Sequence, residues 1–191
     1  MHKIGLFGGS FDPVHRGHLL VAQAACEEFG LERLIFIPAA QSPFKPDPTT
    51  APAPLRIQML RLALAGESRF EIDAQEIERG GTSYTIDTVL SWQSRCPESQ
   101  LYWLIGADHV PTLNKWRDAA KLAAALDFLI IPRPGQADEP APEPFRTHRL
   151  KGFPLGVSSS QIRQRVRASL PIGHLTGARV AESIQNNTLY L

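Results

Sequence analysis

Four short apolar runs constrain the fold of this chain more than any other feature: Lys3-Ile4-Gly5-Leu6-Phe7, Leu34-Ile35-Phe36-Ile37, Leu101-Tyr102-Trp103-Leu104-Ile105-Gly106 and Phe128-Leu129-Ile130-Ile131. Each is short enough for a strand and apolar at nearly every position, the pattern of a strand covered on both faces. Helical patterns lie between them, beginning at Leu19 and then over about 55–65, 84–94 and 115–125, and Phe70-Glu71-Ile72-Asp73 adds a further strand. Strands alternating with helices predict an α/β fold with a doubly wound parallel sheet, because crossovers between parallel strands are right-handed. The loops after residues 7, 37, 105 and 131 then open on the carboxyl edge of the sheet, where such folds bind ligands. Whatever follows Phe7 should therefore share a cleft with Asp108 and Arg133. One domain over residues 1–191 is expected, with a small C-terminal helical segment from about residue 157. Pro-rich stretches at 38–54 and 133–144 read as long loops.

Past the first strand the chain reads Gly8-Gly9-Ser10-Phe11-Asp12-Pro13-Val14-His15-Arg16-Gly17-His18 before the helical pattern begins. Glycines give the backbone close access to a ligand, and a helix N-terminus presents unsatisfied N–H groups and a positive dipole end, so this is a phosphate site. His15 and His18, three apart, can face one ligand. Neither common phosphate loop is present: the glycines at 5, 8, 9 and 17 do not make Gly-x-Gly-x-x-Gly, and Gly-Lys-Ser/Thr is absent.

A second constellation is Val157-Ser158-Ser159-Ser160-Gln161-Ile162-Arg163. Ser158 is a natural N-cap, and Ile162 with Val166 gives the helix an apolar side. Arg163 in the first turn is unfavourable beside the helix dipole unless an anion is bound there. Two further segments bear on a second ligand. Gly81-Thr82-Ser83-Tyr84-Thr85 precedes a helix start and makes another anion site, although an ordinary capped helix explains it equally well. Gly106 and Asp108 put a carboxylate at a strand end suited to ribose hydroxyls, and Trp116 adds an aromatic face, itself a common core residue.

The string His15-Arg16-Gly17-His18 resembles the HxGH signature of the nucleotidyltransferase superfamily, and Val157–Arg163 resembles its second signature, Ile-Ser-Ser-Thr-x-x-Arg, with Val157 and Ser160 as conservative departures. Ser83-Tyr84-Thr85-Ile86-Asp87-Thr88, Leu104-Ile105-Gly106-Ala107-Asp108 with Trp116, Arg133-Pro134-Gly135 and Asn187-Thr188-Leu189-Tyr190 are similar to motifs of the bacterial nicotinate-nucleotide adenylyltransferase family. The resemblance implies a Rossmann-like nucleotidyltransferase fold and adenylyl transfer from ATP to nicotinate mononucleotide, giving nicotinate adenine dinucleotide and pyrophosphate in NAD biosynthesis. It implies His15, His18 and Arg163 as catalytic residues. ATP contacts are implied at Gly8, Gly9, Ser10 and Phe11, at Gly106 and Asp108, and at Ser158, Ser159 and Ser160. For nicotinate mononucleotide it implies Lys45, Ser83, Tyr84, Thr85, Trp116 and Arg133, with Mg²⁺ carried by the ATP phosphates rather than by protein ligands. The family's Pro-Pro-His-Lys loop departs here to Ser42-Pro43-Phe44-Lys45, His109 stands where a small polar residue is usual, and a C-terminal Val-Pro-x-x-Val pattern is missing. Phosphopantetheine adenylyltransferase and a non-catalytic adenylate-binding module are the alternatives; neither accounts for as many of these segments.

A formal charge of +1 gives no basic field to attract nucleic acid or a membrane surface. Its distribution is uneven, because seven Lys/Arg and no Asp or Glu fall between Phe145 and Ala181, a face that is either simply solvated or receives a polyanion. Cys26 and Cys96 show no CxxC spacing, so neither a zinc site nor a disulfide framework is expected, and a reducing cytoplasm fits. No targeting segment is read at the start and no run approaches the ~18 apolar residues of a membrane span. The resemblance allows a monomer or a homodimer.

Overall fold

Alternation of side chains along each strand divides the interior into two cores. Leu34 and Phe36 point to one face of the second strand and Ile35 and Ile37 to the other, and Tyr102 and Leu104 oppose Leu101, Trp103 and Ile105 in the same way. All are buried, as expected for strands covered on both sides. The computed structural model describes residues 2–43, 51–132, 140–153 and 155–191. Its strands are β1 (Lys3–Gly9), β2 (Arg33–Pro38), β3 (Phe70–Ile72), β4 (Gln100–Gly106), β5 (Asp127–Ile131) and β6 (Thr147–Arg149). They form one six-stranded parallel sheet in the order β3-β2-β1-β4-β5-β6. Strand order reverses between β1 and β4, the switch point at which doubly wound sheets bind ligands.

Helices α1 (Arg16–Phe29), α2 (Ala53–Leu64), α6 (Ser159–Arg167) and α8 (Ala178–Asn186) cover one face, through residues such as Ala22, Met59, Ile162 and Ile184. Helices α4 (Thr85–Arg95) and α5 (Ala119–Ala125) cover the other with a 3-10 helix over Ala107–Lys115, through Val89, Leu122 and Leu113. Two short helices, α3 (Gln75–Arg79) and α7 (Gly173–Thr176), complete the described set.

Several elements differ from the sequence expectation. β1 runs on through Gly8 and Gly9, which pair in register with Ile37 and Pro38, so the two glycines close the strand instead of opening a turn. A Cβ on Gly8 would lie 2.5 Å from the Trp103 ring, so packing requires glycine there, and one on Gly9 would press on the Phe11 ring at 3.1 Å. α1 begins three residues before Leu19, which places His18 inside its first turn. Of the helix expected over 115–125 only the short α5 forms, and a 3-10 helix over Ala107–Lys115, containing Pro111, precedes it. The short α7 is not announced by the sequence pattern; it meets α8 at Gly177, whose φ of 93° suits glycine. β6 is a three-residue polar edge strand with no apolar run to announce it; Asp127 holds it by accepting from Arg146 Nε at 2.6 Å and pairing with His148 Nε2 at 2.8 Å.

Candidate active site

The chain leaves β1 through a buried turn. Phe11 has φ of 46°, unusual for a residue with a side chain, and is held there by edge-to-face contacts with Phe7 (5.5 Å) and His18 (5.0 Å). His15 then caps α1. Its carbonyl accepts from the His18 N–H at 2.9 Å, and its own N–H donates to His18 Nδ1 at 3.2 Å. A ring nitrogen that accepts carries no proton, so neutral His18 bears its hydrogen on Nε2. The two imidazoles stack 3.7 Å apart at 25°. Burial lowers the His15 pKa from 6.5 to about 4, and its Nδ1 has no hydrogen-bond partner among the described residues. His15 is thus a neutral ring with a polar atom that the fold leaves unused. Gly17 explains the spacing between the histidines: a Cβ there would stand 3.0 Å from Val157 Cγ1 and 3.1 Å from the His15 ring.

That approach of Val157 brings together the two sequence motifs. Ser158 caps α6, accepting from the Gln161 N–H at 3.3 Å while Gln161 Oε1 accepts from the Ser158 N–H at 2.9 Å. Ser159 Oγ donates to the Pro13 carbonyl at 2.9 Å, and Arg163 donates to the Asp12 carbonyl at 2.7 Å and to Ser160 Oγ at 3.3 Å. Arg163 is therefore drawn to the first helix turn by the carbonyl of Asp12, a partner that the sequence did not reveal. Asp12 is itself buried, and its Oδ1 accepts from the Ala51 N–H at 3.2 Å and from Tyr190 Oη at 2.7 Å.

Arg56 escaped the sequence reading. It is 1% exposed and donates at 2.8 Å to the carbonyls of both Ser10 and Ala39, joining the exits of β1 and β2. Burial pushes its pKa down and the neighbouring Asp12 carboxylate pushes it back up. A signal was present: Arg56 shares the buried face of α2 with Met59 and Leu60, at i, i+3 and i+4, where a cation needs a partner.

Away from this cluster, a concavity of about 280 Å³ is lined by Pro43, Tyr84, Thr85, Lys115, Trp116, Arg117 and Leu122. Tyr84 and Thr85 begin α4, so their backbone N–H groups face an open helix end. Trp116 rests edge-on against Phe128 at 6.2 Å. Lys115 and Arg117 flank it, two cations the sequence reading did not select; the Arg117 guanidinium lies 4.6 Å from the Tyr84 ring centre and 3.9 Å from Asp87. Ser83 has a different place from its neighbours. Its hydroxyl accepts from the Ala40 N–H at 2.9 Å and its N–H donates to the Gln41 carbonyl at 2.8 Å, so it ties the α4 approach to the exit of β2. Gly106 ends β4 at the switch point, and Asp108 is exposed one turn on, 3.7 Å from His109 Nε2. Phe44, Lys45 and Arg133-Pro134-Gly135 lie outside the described residues.

Known proteins resemble this chain over nearly its whole length. Residues 6–165 match the cytidylyltransferase-like family. A protein of Opitutus terrae named "probable nicotinate-nucleotide adenylyltransferase" is 42% identical, over 98% of this chain and 97% of that one. One of the same name from Bacillus licheniformis is 37% identical over 100% and 99%. The fold superposes with a TM-score of 0.79 on nicotinic acid mononucleotide adenylyltransferase of Plasmodium falciparum complexed with NaAD, at 19% identity and covering 100% and 98% of the two chains. With near-full-length relatives at this identity, and with both signature segments meeting at the switch point of the sheet, the chain belongs to the nicotinate-nucleotide adenylyltransferase family.

Proposed function

We propose that this enzyme transfers an adenylyl group from MgATP to nicotinate mononucleotide, with the roles of individual residues set by the histidine–serine cluster and the concavity at Trp116. The observation that carries the reading is the hydrogen-bonded union of the His15–His18 turn with the Ser159–Arg163 segment, which gathers phosphate-binding groups from sequence positions about 145 apart. An oxygen of the acceptor phosphate attacks the α-phosphorus of ATP in line. The bond from that phosphorus to the bridging oxygen breaks, and pyrophosphate leaves with the electron pair. The acceptor is already an anion, so the protein needs no nucleophile of its own; it supplies position and charge.

The Nε2–H of His18 donates to the α-phosphate as its charge builds, and the buried His15 ring, stacked on His18 at 3.7 Å, holds that imidazole in place. Protonation of His15 becomes easier beside that anion, which offsets the burial that keeps it neutral. Arg163 carries more N–H donors than its two bonds use, and these face the β,γ end with Ser160. Magnesium enters as part of the substrate, ligated mainly by phosphates.

The acceptor's pyridine ring stacks on Trp116, and its carboxylate meets the N–H groups opening α4, with Lys115 and Arg117 as flanking cations. A neutral amide would offer these donors no charge and bring an NH₂ group against them, so the acid is preferred. Lys45 and Arg133 serve the mononucleotide phosphate in this reading. Cys26 and Cys96 are unpaired, and no described helix is long and apolar enough to cross a membrane. The test is pyrophosphate release with MgATP and nicotinate mononucleotide, nicotinamide mononucleotide or phosphopantetheine. Release should occur mainly with the first and fall about 10²–10³-fold in His18→Ala; equal rates with acid and amide would remove the carboxylate site from the reading.

A further inference from the structure

We infer that Tyr190 is a positioning residue for adenylyl transfer, acting through Asp12 on the turn that carries His15 and receives Arg163. The contact is long-range and buried: Tyr190 is 7% exposed, Asp12 is 3% exposed, and the phenol donates to Asp12 Oδ1 at 2.7 Å. A neutral donor to a carboxylate at this distance makes a charge-assisted bond. Burial and the Asp12 carboxylate both push the Tyr190 pKa upward, so the hydroxyl keeps its proton and its direction of donation at any working pH.

The segment beyond α8 has the form of a latch. Thr188 and Tyr190 both adopt positive φ, 53° and 68°, conformations that cost residues with side chains energy and persist where surroundings enforce them. The enforcing contacts are the burial of Leu189 and Tyr190 in the α1–α2 core and the bond to Asp12. Asp12 is where three distant parts of the chain converge. Its side chain takes Tyr190 and the Ala51 N–H, its carbonyl takes Arg163, and the next carbonyl, of Pro13, takes Ser159. His15 follows two residues later. A turn fixed at its carboxylate by Tyr190 is fixed at its carbonyls for Arg163 and Ser159, and hence at the start of α1, where the two imidazoles stack.

This inference rests on the reading that the α-phosphate sits at His18. The test compares Tyr190→Phe, which keeps the buried ring and removes only the hydroxyl, with Asp12→Asn, the double variant and His18→Ala, in steady-state pyrophosphate release. Tyr190→Phe should lower kcat roughly tenfold to a hundredfold, the cost of displacing reacting groups by up to an ångström, and leave the KM for nicotinate mononucleotide within about twofold, since that pocket lies elsewhere. In the Asp12→Asn background the same substitution should cost under about threefold, because the partner through which it acts is already altered. An unchanged kcat in folded Tyr190→Phe, or the same loss in both backgrounds, overturns the inference. If His18→Ala retains full activity, the placement of the α-phosphate fails instead. A second measurement needs no variant. Coupling is reciprocal, so a non-hydrolysable ATP analogue should slow hydrogen exchange at residues 188–190; exchange there unaffected by the analogue also overturns it.

Discussion

Protonation of His15 should unfold this protein more readily than its six histidines as a class would suggest. Its ring is 6% exposed and its pKa is lowered to about 4 by burial, against an ordinary value of 6.5 in the unfolded chain. Above pH 6.5 both states hold a neutral ring, and the stability is fully present. As pH falls below 6.5 the unfolded state takes up a proton that the folded state refuses until about pH 4, so stability declines through that window. A shift of this size gives a loss of about 2 kcal/mol between pH 8 and pH 5, approaching about 3 kcal/mol near pH 4. For a chain of this length that is a fall of about 4–8 °C in Tm by pH 5. Carboxylates contribute their own pH dependence, so the assay is a difference: urea unfolding at pH 8, 6.5 and 5 for the unsubstituted protein and for His15→Gln, which cannot titrate. His15→Gln should lose about 2 kcal/mol less over the range. Parallel curves for the two proteins would refute the claim that His15 is buried neutral. Saturating MgATP should also flatten the curve of the unsubstituted protein, because phosphate near the ring favours its protonated form.

Three other outcomes follow from named contacts. Gly17→Ala should cost about 1–3 kcal/mol of stability, since its Cβ must displace Val157 or the His15 ring, and its kcat should fall further than the Tm shift accounts for. Trp116→Ala should raise the KM for nicotinate mononucleotide about tenfold or more and leave the KM for ATP nearly unchanged, a split that initial-rate kinetics with each substrate varied would read. Arg56→Met should destabilise the fold by about 3 kcal/mol or more, because the carbonyls of Ser10 and Ala39 lose their buried donor; a chemical-denaturation midpoint close to that of the unsubstituted protein would contradict this.

The sheet was legible in the sequence because its central strands are buried on both faces and so carry unbroken apolar runs. β6 carries none. It is a polar edge strand fixed by the Asp127 carboxylate, whose pKa burial would raise but which hydrogen bonds from His148 and Arg146 lower on balance, and pairing of that kind leaves no periodic trace. The histidines, the Ser158 cap, Trp116 and the Tyr84-Thr85 helix start were readable from local pattern, and the structure places them on the carboxyl edge of the sheet or at a helix end. What the sequence concealed is tertiary. The sequence pattern leaves Arg163 awaiting an anion, but a carbonyl 151 residues away already holds it. Proximity in sequence groups Ser83 with Tyr84 and Thr85, yet its hydroxyl accepts from the Ala40 N–H. Lys115 and Arg117 look like ordinary surface charges until the turn after the 3-10 helix brings them beside Tyr84 and Trp116.

Arg56 carries one more implication. Its guanidinium joins Ser10, beside the histidine turn, to Ala39; the next residue, Ala40, is bonded to Ser83, which is followed directly by Tyr84. An unbroken path of backbone and hydrogen bonds therefore runs from the histidine turn to the concavity at Tyr84 through the interior. In the proposed reaction this internal strut runs between the two substrates, so substitutions along it are expected to alter how far apart the substrates sit while touching neither.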